Sequence, residues 1–188
     1  MEDIRKIFEE NTKLSDEDWA YFSSKLKHIE VPKKTAILKA GKVENHLSFV
    51  QNGIIRYYIP NLESDLTFAF VFENSFSCAY DSFLCQSPSN YTVETISEST
   101  LWQVTYQDLE DIYTNTAVGN TIGRKASEAL FLKKAKRELS LLNETAEERY
   151  LNLFTERPEL IRQIPLQYIA SYIGITPQAL SRIRKRIS

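Results

Sequence analysis

Apolar and polar positions change rhythm along the chain. Over residues 1–29 the spacing predicts helix: Trp19, Phe22 and Leu26 recur on one stripe. Ser15 stands as an N-cap, and Asp16, Glu17 and Asp18 place carboxylates in the first turn. From about 33 to 105 the period shortens. Short runs rich in Val, Ile, Thr, Tyr and Phe are broken by Gly, Pro, Asn or Asp, which predicts strands at 35–38, 47–50, 54–59, 66–72, 92–96 and 100–105. Asn52-Gly53 between two such runs predicts a hairpin. Short strands with turns at this spacing favour a sandwich or barrel.

After Thr105 the helical period returns. A short helix is expected over 106–113, a long one over about 118–142, and another over 145–156 that ends at Arg157-Pro158. A helix of about 24 residues is near 36 Å long, more than a small domain needs. Ile122, Ala126, Ala129 and Leu130 suggest an apolar stripe that a second copy would cover, with packing inside one chain as the alternative. Leu130→Glu should then yield monomers.

Composition is that of an ordinary globular chain, and the charge is divided unevenly. Residues 1–123 carry a net −8 and residues 124–188 a net +6. An acidic front and basic rear point the rear toward a polyanion, against the plain reading of a solvated basic surface. No apolar run is long enough to span a bilayer, and the N-terminus has no apolar leader, so a cytoplasmic protein is expected. Two cysteines (Cys78, Cys85) and two histidines (His28, His46) make neither a disulfide framework nor a zinc set. No catalytic residue, metal site or cofactor is assigned.

The last 25 residues are the most informative. Ala170 is small enough for two helices to touch there, and Gly174 can take the positive φ of a tight turn. Ile169, Ile173, Ile175, Leu180 and Ile183 fall where two inner faces would meet. Thr176 suits an N-cap and Pro177 the first helical position. The second helix would then expose Gln178, Ser181, Arg182, Lys185 and Arg186. Gln can address adenine, Arg can address guanine, and the basic tail can neutralise phosphates. The alternative is an αα-hairpin with a basic surface.

The chain resembles the Crp/Fnr regulators. Two stretches carry the likeness: Ile37–Gly41 with Phe49–Tyr58, and Leu180–Lys185. The resemblance implies an α+β protein with a cyclic-nucleotide-binding-type, jelly-roll-like β-roll as sensor domain (1–115), a dimerisation helix (116–142) and a C-terminal helix-turn-helix domain (143–188). It implies a homodimer on double-stranded DNA, with RNA polymerase as a further candidate partner and no membrane. Base readout falls to Pro177, Gln178 and Arg182, with Pro177 limited to an apolar or shape contact; Thr176 and Ser181 fall on phosphates. The wing that often follows the recognition helix has no counterpart before Ser188, so its phosphate contacts are expected to be absent or replaced by the basic terminal residues.

The likeness breaks at the phosphate cassette of cyclic-AMP-binding members. Cys78-Ala79 stand where Gly-Glu would be, and Ser89-Asn90 where Arg-Ser would be. No basic residue lies between Arg56 and Arg124. A buried cyclic phosphate would lack its cation, so the usual cyclic-nucleotide response is not expected. Phe70, Phe72, Cys78, Tyr80, Asp81, Ser82, Ser89, Tyr91 and Arg124 are the residues that could line a pocket for another small effector, against the reading that they are core and rim of a degenerate domain. Cys78 would sense redox chemistry only if exposed with a lowered pKa; a buried inert thiol is the alternative. A degenerate regulator acting through a protein partner and a cupin-like barrel are the competing functions, and two distant histidines serve the latter poorly.

Overall fold

Strand pairing between distant segments dominates the front of the chain. The computed structural model describes residues 1–10 and 12–187. Two helices, α1 (Glu2–Glu9) and α2 (Asp16–Ser24), precede eight strands: β1 (Lys27–Val31), β2 (Ala36–Leu38), β3 (His46–Asn52), β4 (Ile55–Ile59), β5 (Leu66–Val71), β6 (Ser75–Ser77), β7 (Thr92–Thr95) and β8 (Ser99–Thr105). A short helix, α3 (Tyr80–Cys85), joins β6 to β7. The strands form two antiparallel four-stranded sheets, ordered β1-β8-β3-β6 and β2-β7-β4-β5. The six expected strands all form, within a residue or two at their ends.

Two expectations fail here. The helical reading of 1–29 stops at Ser24, because Lys27–Val31 pairs with β8, Ile29 opposite Leu101. Asn52-Gly53 closes no hairpin: β3 and β4 lie in different sheets, and the chain crosses between them there. Gly53 has φ +105°, and a Cβ on it would stand 2.2 Å from the Ser99 hydroxyl. Glycine is therefore required by close backbone approach as well as by φ. The Ile54 N–H is caught by Ser97 Oγ at 3.0 Å, which steers the chain into the second sheet.

The contacts divide the chain into two units, residues 1–58 with 70–129 and residues 59–69 with 130–188. In the first, Ile4, Phe8 and Phe22 of the N-terminal helices pack with Phe49, Phe83 and Val104 and with Leu109 and Ile112 of α4 (Tyr106–Asn115). Ile122, from the start of α5 (Gly119–Asn143), packs against the same cluster. It therefore serves its own chain's core, contrary to the stripe expected from sequence.

The second unit holds α6 (Ala146–Glu156), α7 (Pro158–Gln163), α8 (Leu166–Tyr172) and α9 (Pro177–Ile187). Its core is Tyr150, Leu153, Leu160, Ile164, Ile169, Ile173, Leu180 and Ile183. α6 begins with a full capping box. Thr145 Oγ1 accepts from the Glu148 N–H, and the Glu148 carboxylate accepts from the Thr145 N–H. Among the described residues no helix is long and apolar enough to cross a membrane, and no group of His, Cys, Asp and Glu could hold a metal ion.

Candidate nucleic-acid interface

α8 and α9 meet as the sequence predicts. Ala170, Ile169 and Ile173 are fully buried, with Leu180 and Ile183 opposite them, while Ile175 is half-buried. Gly174 takes φ +81°, and the Ile175 N–H returns to the Ala170 carbonyl at 3.0 Å to close the turn. Thr176 Oγ1 accepts from the Ala179 N–H at 3.2 Å, the N-cap of α9. Burial of Leu180 and Ile183 fixes which side of α9 faces out. Thr176, Pro177, Gln178, Ser181, Arg182, Lys185 and Arg186 are all exposed. Among the described residues, Arg186 is the one of these drawn to a carboxylate, Glu147 of α6, at 2.5 Å.

Residues that the sequence did not single out hold this hinge in place. The carbonyls at the C-terminal end of α8 need donors, since no further helical turn supplies them. Arg137 of α5 donates to the Tyr172 carbonyl and lays its guanidinium 4.0 Å over the Tyr172 ring. Arg149 of α6 donates from Nε to the Ile173 carbonyl at 3.0 Å and from Nη1 to the Glu144 carbonyl. Two cations at a helix C-terminus also oppose the negative end of its dipole. On α8, Ser171 Oγ donates to the Asp65 carbonyl at 2.7 Å and accepts from the Thr67 N–H at 2.8 Å, joining α8 to the end of the β4–β5 connection and the start of β5. Only the tertiary fold brings these partners together; no spacing along the chain announces them.

In the roll, the pocket residues named from sequence do several different things. Ser82 Oγ donates to the Ser87 carbonyl and accepts from the Glu44 N–H; Ser89 Oγ bridges the backbone of Tyr91. Both are buried loop staples. Phe70 is fully buried and Phe72 half-buried. Arg124 is exposed on α5 and pairs with Glu128, one turn on, at 2.6 Å. The tyrosines spend their hydroxyls inside the protein: Tyr57 with Ser77 at 2.7 Å, Tyr80 with Ser127 at 2.9 Å, and Tyr91 donating to Asp81.

Two acids border this region. Asp81 is exposed, whereas Glu44 is buried, and that burial pushes its carboxyl above the usual range although the His46 and Ala79 N–H groups donate to it. Burial likewise pushes the Cys78 thiol far up, with Glu44 and Asp81 adding to the shift. A thiol held protonated is a poor nucleophile, which favours the inert reading of Cys78. Residues 57–123 contain no Lys, Arg or His.

Comparison with known proteins places these elements. Residues 28–116 match the family model of the cyclic nucleotide-binding domain. No curated protein matches the chain. Among solved structures, a protein from Eubacterium rectale assigned to the Crp/Fnr family aligns with TM-score 0.72 at 18% identity, over 93% of this chain and 83% of that one. FixK2 from Bradyrhizobium japonicum aligns with TM-score 0.70 at 16% identity, over 86% and 84%. The c-di-GMP-responsive regulator CLP of Xanthomonas campestris aligns with TM-score 0.67 at 15% identity, over 92% and 91%. At such identities the likeness is one of fold.

Proposed function

We propose that this chain, whose roll is of the cyclic nucleotide-binding domain family and whose fold along nearly its whole length is that of the Crp/Fnr regulators, is a homodimeric, sequence-specific DNA-binding transcription regulator. The observation that carries the reading is the outer side of α9. It is exposed and basic, it has no acid of its own, and it is presented by a turn whose two helices bury Ile169, Ile173, Leu180 and Ile183 between them. Gln178 and Arg182 read base edges in the major groove; Thr176, Ser181, Lys185 and Arg186 meet phosphates; Pro177 offers an apolar contact. Two copies joined along α5 would set their α9 helices about 34 Å apart, on successive turns of a near-palindromic site.

The roll in this reading does not answer to cyclic nucleotides through a phosphate cassette. A buried phosphate there would face Asp81 and Glu44 with no cation drawn from residues 57–123. The test is selection of bound fragments from the source genome, followed by Arg182→Ala on the selected site. A loss of about 1–3 kcal/mol at that site, with random DNA unaffected, is expected. Equal weakening on every sequence would move Arg182 to the phosphates, and wild-type protein that selects no fragment would end the proposal. Calorimetry that finds micromolar cyclic AMP or cyclic GMP binding would overturn the reading of the roll.

A further inference from the structure

We propose that Glu147 of α6 competes with DNA for Arg186, so that the last arginine of the recognition helix is held by its own protein until a phosphate displaces the carboxylate. The inference rests on the DNA-binding reading above. Two acids follow the cap of α6, and they do different things. Glu148 turns back to Thr145 and completes the capping box, which holds its carboxyl below the usual range. Glu147 is not needed for the cap; it reaches α9 and takes Arg186 Nη2 at 2.5 Å.

The pair sits in an open groove of about 460 Å³ bordered by Thr145, Leu151 and Ile183. Its side chains stay 66% and 37% exposed, Arg186 and Glu147 respectively. An ion pair so wetted is weak, and a polyanion with many charges can replace one carboxylate. The contact is therefore a reversible brake on one phosphate contact per protomer, and Glu147 sets its strength without touching a base.

The experiment measures affinity by fluorescence anisotropy across a salt series, using the full-length protein on a selected genomic duplex and on a random-sequence duplex. Glu147→Gln should bind both duplexes about two- to five-fold more tightly, because an exposed pair of this kind is worth up to that factor. Arg186→Gln should weaken binding and shrink the salt slope by about 0.9 per protomer, one phosphate contact each. In the Arg186→Gln background, Glu147→Gln should then change nothing. The proposal is overturned if Glu147→Gln leaves affinity unchanged. It is equally overturned if the gain persists without Arg186, since Glu147 would then act by general repulsion of phosphate. Thermal melting checks that the capping box survives in each variant. Wild-type protein that binds neither duplex at any salt would instead refute DNA binding itself, which separates the two failures.

Discussion

If two copies pair along α5 as proposed, Leu139→Glu should split that homodimer while leaving each chain folded. Within α5 only Gly119 is buried, although the helix runs 25 residues, about 37 Å. Phe131, Leu132, Leu139 and Leu142 are 57–74% exposed, an unusual state for large apolar side chains so close together. Leu132, Ala135, Leu139 and Leu142 are spaced three, four and three apart, the period of a two-helix seam. Full burial of a Leu is worth about 1.5–3 kcal/mol. Leu139 is 57% exposed, so a partner could still cover that fraction, worth about 0.9–1.7 kcal/mol per protomer, or about 1.7–3.4 kcal/mol for both copies. Losing it weakens association by roughly 20- to 300-fold. Two carboxylates brought together in the seam add to that. Sedimentation equilibrium reads the dimer constant, and circular dichroism should show unchanged helix content. A dimer constant within three-fold of wild type, or a wild-type protein that is monomeric at micromolar concentration, would refute the seam.

Arg137→Met keeps the aliphatic stem but removes the hydrogen bond to the Tyr172 carbonyl and the stack on the Tyr172 ring. Arg137 Nε is buried without a partner, so part of that loss is returned; the net expected cost is about 1–2 kcal/mol, a melting shift of roughly 2–8 °C. An unchanged melting temperature would show that Arg149 alone holds the end of α8. Glu44→Gln tests the buried acid of the roll. Because burial raises the Glu44 pKa above its ordinary 4.5, the folded state holds that proton more tightly than the unfolded one. The stability Glu44 confers is therefore full below pH 4.5 and is lost as pH rises through the raised value. Glutamine never ionises, so the variant should gain on wild type as pH rises across that window in denaturant melts. A difference that stays flat or shrinks with rising pH would count against this account.

What could be read from sequence was what is local in the chain. The hinge of α8 and α9 depends on Ala170, Gly174, Thr176 and Pro177, all within eight residues, and each acts through its own backbone or its near neighbour. The strands after residue 33 announce themselves by β-branched and aromatic residues between turn formers. β1 does not: Lys27-His28-Ile29-Glu30-Val31 follows a helical stripe without a break, and only its pairing with β8, about seventy residues away, makes it a strand. β6 is just Ser75-Phe76-Ser77, held by β3. Asn52-Gly53 shows that a correct local observation can carry the wrong topology. The glycine is needed, but to lie against Ser99 while the chain changes sheets. On α5 the expected stripe loses only Ile122, which belongs to the core of the first unit; Ala126 and Ala129 stay exposed, and the large apolar side chains left exposed begin at Phe131.

The same distinction explains why the roll is harder to read than α9. A surface that meets DNA must keep its chemistry exposed, so residue type and helical phase reveal it. A pocket is defined by which polar groups remain unspent after folding. Here Tyr57, Tyr80 and Tyr91 each turn a hydroxyl to a partner within the chain, and Ser82 and Ser89 are committed to backbone. A ligand entering this region would have to break such contacts before making its own, and residues 57–123 offer a phosphate no cation. If the roll has an effector, its binding must compensate internal hydrogen bonds as well as desolvation.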